Sequence, residues 1–486
     1  MAKHEYNRSD DQLEKARREL DASAAGLDTR LVSATNELYQ PEAAPRHLAA
    51  FLTDLGEKTL YDAAAQCNRC GYCETVCPTY ALTGRETLSA RGRNQFMRLL
   101  VEGRAKDPAE AKEALSTCLL CGACTSACYA KVPTPDLVLE GRRTLEGYGD
   151  DLLSRAAVGT LLNAPWLFSL WLKLAYLAKL SGLPRLAAAM GLYHFLGMPG
   201  LADAERSVKK VPLRFAAQTL RRDPELRRDG RRGIKWAYFA PCGPNYLFTE
   251  VAAATVRLLK RNAGEGVFMD NHCCGLLAHN YGRLEDARKF ARKNITAYEA
   301  LKAAYGEFAL IADCSSCAAF MKSYEQLFTA DPAWRGRAAA FAASVKDILE
   351  FINPEDFPSA AKAHSAHKGV VTYHDSCRAC HGQGIRREPR AVIRKLAGRR
   401  YVELPESEWC CGGAGAYAFT QPEISASVLD RKLRNIASVQ AKTVVVGATS
   451  CLIQINAGLR AAYPSAEAVH YSVFLDRMTG GPADKQ

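Results

Sequence analysis

At 486 residues, with 48% hydrophobic and 24% charged residues, the chain can bury real cores and is long enough for about three domains, which excludes a disordered polypeptide. The formal charge of +12 counts each of the 18 cysteines as neutral, so cysteines held as thiolates make the protein less basic than it looks. The basic stretches 221–235 and 386–400 carry no interleaved aromatics and accompany no nucleic-acid motif. They read as solvated faces or a docking surface for an acidic partner, and no nucleic-acid partner is expected.

Residues 1–55 are polar, helical in part over 10–20, and hold no ligand candidate. They read as an N-terminal extension that packs on a neighbour or stays mobile. The opening Met-Ala-Lys-His-Glu-Tyr has no apolar signal run, so a cytoplasmic location with reduced thiols is expected. Clustered cysteines in that compartment read as metal ligands and not as disulfides.

Residues 56–150 hold the first eight cysteines. The run Cys67-x2-Cys70-x2-Cys73-x3-Cys77-Pro78 is that of two-cluster [4Fe–4S] ferredoxins. Three cysteines at this spacing wrap a loop around three corners of one cubane, and the fourth reaches a second. The run Cys118-x2-Cys121-x2-Cys124-x3-Cys128 supplies that partner. Cluster 1 is therefore assigned to Cys67, Cys70, Cys73 and Cys128, and cluster 2 to Cys118, Cys121, Cys124 and Cys77. Tyr129 replaces the usual proline, but Pro133 and Pro135 can still end the loop. Zinc is the alternative, though zinc sites normally pair two short cysteine hooks. Between the runs, 88–116 reads as helices broken near Pro108. So long a helical insert resembles the all-α ferredoxin of respiratory dehydrogenases more than the compact β type.

Residues 151–232 read as a helical connector. Its most apolar run, 156–172, is interrupted by Asn163, Pro165 and Ser169 and ended by Lys173, which is short for a membrane span. A buried connector helix is the simpler reading; Trp166 and Trp171 with flanking lysines also allow an interfacial helix. From 233 onward, short apolar runs alternate with helices. The runs are 234–240, 267–270, 308–312, 369–373, 401–404 and 443–446; the helices include 250–261 and 283–303. This alternation implies parallel βαβ units, expected as domains over 233–352 and 366–478.

The later cysteines repeat. The first set is Cys242, Cys273-Cys274-Gly275 and Cys314-x2-Cys317; the second is Cys377, Cys410-Cys411-Gly412 and Cys451. The Cys-Cys pair lies 31 and 33 positions after the leading cysteine, and the next cysteine 40 positions further on in both sets. Matching register argues for a duplicated domain. Cysteines following strands converge on the carboxyl edge of a parallel sheet, and a glycine after each pair lets the backbone come close to a bulky cluster. Buried structural cysteines, the simpler alternative, would not place adjacent pairs at strand ends in both halves.

At these motifs the chain resembles the Cys-Cys-Gly (CCG) domain iron–sulfur family, which includes the heterodisulfide reductase catalytic subunit and the iron–sulfur subunits of glycolate oxidase, lactate-utilisation systems and anaerobic glycerol-3-phosphate dehydrogenase. Tandem ferredoxin runs fused to two such domains look most like the glycolate oxidase iron–sulfur subunit. The resemblance spans about residues 60–478 and is most specific at Tyr373-His374-Asp375-Ser376-Cys377, at Trp409-Cys410-Cys411-Gly412-Gly413-Ala414-Gly415 with Thr420-Gln421-Pro422-Glu423, and at Cys451-Leu452-Ile453-Gln454. It implies an α/β fold, an all-α two-cluster ferredoxin domain followed by a duplicated parallel βαβ CCG domain. It also implies a non-cubane [4Fe–4S] cluster on the five cysteines of the first set. In the second set Gln454 stands where the fifth cysteine would be; a second such cluster on Cys377, Cys410, Cys411 and Cys451 stays open, with Cys380 a substitute or a bystander. His272 and His374 could tune or ligate a cluster, and the simpler reading makes them structural. Tyr281 and Tyr324 read as core or rim residues.

No flavin or nicotinamide motif is present, since 412–415 does not match a dinucleotide fingerprint and no phosphate-binding loop occurs. Two-electron oxidation of an organic substrate needs such a cofactor, so it is expected in an FAD-containing dehydrogenase subunit. The resemblance implies oxidation there of a 2-hydroxy acid such as glycolate or D-lactate, with electrons leaving to a quinone or other membrane-side acceptor. The protein would then be cytoplasmic, or peripheral on the inner face of the membrane. The rival reading is disulfide reduction at the five-cysteine site. A zinc scaffold is the formal third.

Overall fold

The computed structural model describes residues 51–53, 56–104, 108–144, 152–192, 212, 214–226, 233–357, 369–415 and 417–481. The extension over residues 1–50, with its helix at 10–20, lies outside them. A short antiparallel hairpin, β1 (Phe51–Thr53) and β2 (Gly56–Lys58), precedes a set of small helices. Thr59 caps Leu60–Ala65 by accepting the Asp62 amide at 3.1 Å. Cys77 stands at the N-cap of Pro78–Thr83, with Pro78 at the first helical position, where its missing N–H costs nothing. Between the cysteine runs lie Ala90–Val101 and Pro108–Ser116, and Thr134–Thr144 closes the group. Met97, Leu115, Leu137 and Val138 form its core. Gly141 permits the close packing there, because a Cβ would sit 2.5 Å from Met97 Sδ.

The connector contains Leu152–Asn163, Pro165–Leu180 and Leu183–Ala189. Val158, Leu161 and Leu162 of the first helix are buried. The reading of a single buried connector helix fails beyond Asn163. Pro165 ends that helix and begins another, which buries none of its residues, and Trp166 is 70% exposed. Apart from Phe168, which packs on Tyr246, the apolar side chains of this helix are little covered among the described residues, and because they recur around it the pattern alone could not show this.

Two parallel sheets follow. The first has the order β4-β3-β5-β6, from β3 (Trp236–Phe239), β4 (Gly266–Met269), β5 (Ala309–Ala312) and β6 (Val345–Asp347). The second has the order β7-β8-β9, from β7 (Val370–His374), β8 (Ala441–Val446) and β9 (Glu467–His470). Helices Thr249–Asn262, Leu284–Tyr305, Pro332–Ser344, Pro422–Ser438 and Thr449–Ala462 lie on the crossovers. In β3, Ala237 and Phe239 enter one apolar cluster while Trp236 and Tyr238 enter another, as expected for a strand covered on both faces. Residues 401–404 do not form the expected strand. Tyr401 makes an isolated parallel bridge to Val371, and the Val402 amide donates to the Val371 carbonyl at 2.9 Å. Both halves share one core, and the Thr255 hydroxyl bonds Ser472 at 2.8 Å across them.

Candidate iron–sulfur sites

In the ferredoxin segment, Cys77, Cys118, Cys121 and Cys124 line one cavity. Burial raises the Cys124 thiol to about 12, with Cys118 and Cys77 adding to the rise. Cys73 is raised to about 11 by burial and then by Cys67 and Cys77. Cys128 packs in the same apolar cluster as Cys67 and Cys118, while Cys70 is exposed. Thiols that raise one another in this way are poor places for thiolates unless a cation joins them, which suits cluster binding. The left-handed Gly71 and Gly122 turn the two loops.

Arg93, which sequence reasoning missed, is 1% exposed beside this cavity. Its guanidinium donates to the Ala114 carbonyl at 2.6 Å, Thr79 Oγ1 at 3.1 Å and Thr117 Oγ1 at 3.0 Å, and reaches Cys77 Sγ at 4.0 Å. An arginine inside a basic amphipathic helix looks solvated, and no local signal marks its burial.

The first CCG site gathers all five of its cysteines. Each thiol acts on the next, Cys242 on Cys273, Cys273 on Cys274, Cys274 on Cys317 and Cys317 on Cys314, and all five cysteines are free. The neighbouring Cys317 thiol, followed by the Thr449 backbone amide, holds Cys314 down to about 6 despite burial. The loop carrying the cysteine pair is tied from behind: Tyr324 Oη donates to the Cys274 carbonyl at 2.6 Å, and Asn294 Nδ2 donates to the Cys273 carbonyl at 3.0 Å. Tyr324 is therefore a core residue. A broad open cavity lies over the Cys242 and Cys273 side, with His272, Lys173, Arg221 and Trp166 in its walls. Burial and Lys293 lower the His272 pKa.

The second CCG site brings together Cys377, Cys410, Cys411 and Cys451. The Cys377 and Cys410 thiols act on one another, as do those of Cys410 and Cys411, and the Cys411 and Cys451 sulfurs lie 3.4 Å apart. Cys380 is buried one helical turn from Cys377, where its thiol donates to the Cys377 carbonyl at 3.9 Å and its pKa is raised first by burial and then by Asp375. Gln454 donates from Nε2 to Ser425 Oγ at 2.9 Å. Lys432, also missed by sequence reasoning, is fully buried. It donates to the carbonyls of Glu406 at 2.5 Å and Ser407 at 3.1 Å, and burial lowers its pKa to about 8. The glycine after each cysteine pair is left-handed, φ +89° at Gly275 and φ +82° at Gly412. At Gly412 a Cβ would strike the Ser425 carbonyl at 2.6 Å, so the following helix also demands a glycine there.

The sites adjoin one another. Cys121 of the ferredoxin is raised by burial and then by Cys377, and Cys410 feels Cys121 in turn. Tyr417 Oη donates to the Thr117 carbonyl at 2.7 Å beside Leu119, Trp409 and Cys410, so the ferredoxin covers the second site. Thr449, two residues before Cys451, touches Cys314 of the first site, and Gly243 fits because a Cβ there would meet Thr449 Cγ2 at 2.4 Å. The ferredoxin thiols thus adjoin the second CCG site, and Thr449 of the second half reaches the first.

Comparison with known proteins agrees with this reading. The 4Fe-4S dicluster domain family matches residues 63–132, and the cysteine-rich (CCG) domain family matches 236–322 and 371–456. Lactate utilization protein A of Oceanobacillus iheyensis is 30% identical over 244 residues, which is 50% of this chain and 97% of that protein. The chain belongs to this CCG iron–sulfur family. Other members similar to it are the protein named "Probable glycolate oxidase iron-sulfur subunit" in Bacillus subtilis, 29% identical over 85% of this chain and 94% of that protein, and the glycolate oxidase iron-sulfur subunit of Escherichia coli, 26% identical over 79% and 88%. Among the described residues, no helix is long and apolar enough to cross a membrane.

Proposed function

We propose that this protein is the electron-transfer subunit of a flavin-dependent 2-hydroxy acid dehydrogenase complex of the glycolate or D-lactate type. The observation that carries the reading is that the ferredoxin thiols adjoin those of the second CCG site, whose Thr449 in turn touches Cys314 of the first. Iron–sulfur clusters bound there would supply one-electron carriers between a two-electron flavin donor and the acceptor. Cys67, Cys70, Cys73 and Cys128 would hold one cubane, and Cys77, Cys118, Cys121 and Cys124 the other. Cys242, Cys273, Cys274, Cys314 and Cys317 would hold a non-cubane cluster, and the Cys377, Cys410, Cys411 and Cys451 set a further one. The cysteine spacings and the two parallel sheets support a duplicated CCG domain over 233–352 and 366–478, joined by the 151–232 connector to the ferredoxin domain at 56–150.

The partner is an FAD-containing subunit, since this sequence has no flavin motif, and the names of the relatives favour glycolate or lactate as its substrate. A quinone acceptor is supported by the connector. Trp166, Leu170, Leu174 and Leu177 recur at helical spacing and are all exposed, and Leu183 and Leu186 continue the apolar face on the next helix. Residues 152–202 contain Arg155, Lys173, Lys179 and Arg185 but no Asp or Glu. An apolar face with tryptophans and only positive charge suits the surface of an anionic bilayer. Trp166 and Leu170 also line the cavity over Cys242 and Cys273, so docking would bring that cavity to the lipid. The same open cavity favours a second reading, reduction of a disulfide at the five-cysteine site.

Anaerobic purification of the complex from its native host, with iron, flavin and subunit analysis, tests the proposal. A co-purifying flavoprotein and glycolate- or D-lactate-dependent quinone reduction are expected. Cluster reduction by a dithiol without any flavoprotein would instead establish the second reading.

A further inference from the structure

We infer that His374 is a ligand of the second CCG site, taking the place of the cysteine that Gln454 displaces. The inference rests on reading that site as an iron–sulfur site.

In the first half, Cys314 and Cys317 lie three positions apart at the start of the helix after β5; in the second, Cys451 and Gln454 hold the same spacing after β8. An amide is no substitute for a thiolate, and the Gln454 amide is already spent on Ser425, whose hydroxyl donates to the Gly412 carbonyl at 2.9 Å. A second difference between the halves compensates the first. Phe239 stands three residues before Cys242 at the end of β3, and His374 stands three residues before Cys377 at the end of β7. Both positions are fully buried. The half that has no thiol matching Cys317 has an imidazole where the half that keeps it has a phenyl ring, and it is His374, not Cys380, that lies within 4.8 Å of the Cys411 and Cys451 sulfurs as a group.

The ring is set up to ligate. Its Nδ1 faces the Ser407 carbonyl at 3.2 Å, and a carbonyl only accepts, so Nδ1 carries the proton. That leaves a lone pair on Nε2, which has no hydrogen-bond partner among the described residues although the side chain is buried. A buried unsatisfied acceptor is costly unless something binds it. A ring N–H held by a backbone carbonyl is the usual way a metal-bound histidine is oriented. A His374 ring nitrogen and the Cys411 and Cys451 sulfurs all lie within 4.8 Å of one another.

The test uses the full chain, purified anaerobically, grown with histidine carrying heavy nitrogen, and read by pulsed electron paramagnetic resonance. One cluster signal should show nitrogen coupling that changes with the isotope. In His374→Phe, which copies the first half, that coupling should vanish and iron should fall by up to about four atoms per chain. In His374→Cys the iron should return without the coupling and with a lower reduction potential, because thiolate replaces a neutral ligand. Unchanged iron and an unchanged spectrum in His374→Phe would overturn the inference. Cys411→Ser separates the two levels: if it loses iron while His374→Phe keeps both its iron and its spectrum, only the histidine ligand fails. If Cys411→Ser also keeps all its iron, the cluster reading of this site fails with it.

Discussion

In one cysteine-rich half, five thiols meet under an open cavity; in the other, four meet beneath the ferredoxin segment, with Tyr417 and Trp409 in the seam. The strand ends are also held differently. In the first half the Asn271 side chain bonds both the amide and the carbonyl of Ala240, at 2.9 and 3.0 Å. In the second, Asp375 takes the equivalent place and is gripped by both Arg390 nitrogens, while its amide donates to the Ser407 carbonyl at 3.1 Å. Similar cysteine spacing therefore sits in two different settings. The covered site suits an internal relay, and the open one suits exchange with a partner outside the chain.

The largest expected effects come from breaking each site in turn. Cys274→Ser and Cys411→Ser should each lose about four iron atoms per chain, and each should cut hydroxy-acid-dependent quinone reduction by roughly a hundredfold or more. They should differ in which carriers stay reducible. With Cys274→Ser everything up to the second site still takes electrons from the flavoprotein, whereas Cys411→Ser strands the first site in its oxidised form. Spectra of the substrate-reduced complexes distinguish them. If both variants reduce the first site equally, the relay order is wrong.

Next in size is the grip on the second strand end. Arg390→Ala would leave Asp375, 1% exposed, as an uncompensated buried charge, and should cost about 3–5 kcal/mol. Asn271→Ala leaves one backbone amide and one carbonyl unpaired and should cost only about 1–3 kcal/mol. Thermal unfolding of the anaerobic proteins checks the order; equal losses would mean that Arg390 is held mainly by Glu403.

How the halves differ was only partly written in the sequence. The cysteine spacings, the helix break at Pro108 and the strands starting near 236, 266, 309, 370 and 441 were legible, because each has a local signature. Strands β6 and β9 were missed because Val-Lys-Asp and Glu-Ala-Val-His carry too little apolar pattern. Residues 401–404 misled because Tyr401 and Val402 touch the sheet edge without joining it. Arg93, Lys432 and the unpaired Nε2 of His374 owe their meaning to groups distant in sequence. The connector erred in the opposite sense: its leucines signalled a core that the described residues do not supply.

That exposed face gives a smaller effect confined to the open half. Wild type should bind vesicles of phosphatidylglycerol and phosphatidylcholine better than phosphatidylcholine alone, and less well as salt rises. Leu174→Glu with Leu177→Glu should weaken binding roughly tenfold or more without loss of iron, since both leucines are exposed. Concentration-dependent self-association that disappears in the same variant, with no vesicle binding, would assign the face to a second copy.

The smallest effect comes from the last strand of each sheet. β6 ends at Asp347, which caps Ile348–Phe351 by accepting the Leu349 amide at 3.1 Å; β9 ends at His470, whose Nδ1 accepts the Ser472 amide at 3.2 Å. Burial raises Asp347 to about 6 and lowers His470 to about 4, so the two caps titrate in opposite senses. For Asp347 the folded state holds more protons than the unfolded one between about pH 4 and pH 6, so its contribution is lost as pH rises through that window. For His470 the unfolded state holds more protons between about pH 6.5 and pH 4, so stability is lost as pH falls through it. In wild type the two slopes largely cancel. His470→Asn keeps the cap and removes one slope, so relative to wild type it should gain up to about 2 kcal/mol as pH falls from 6.5 to 5. Asp347→Asn should do the reverse, gaining on wild type as pH rises from about 4 to 6. Melting temperatures of the two variants against pH, each taken as a difference from wild type, should therefore diverge with opposite sign. Parallel curves would mean that one of the two caps is not desolvated in solution and that the halves do not oppose each other in acid.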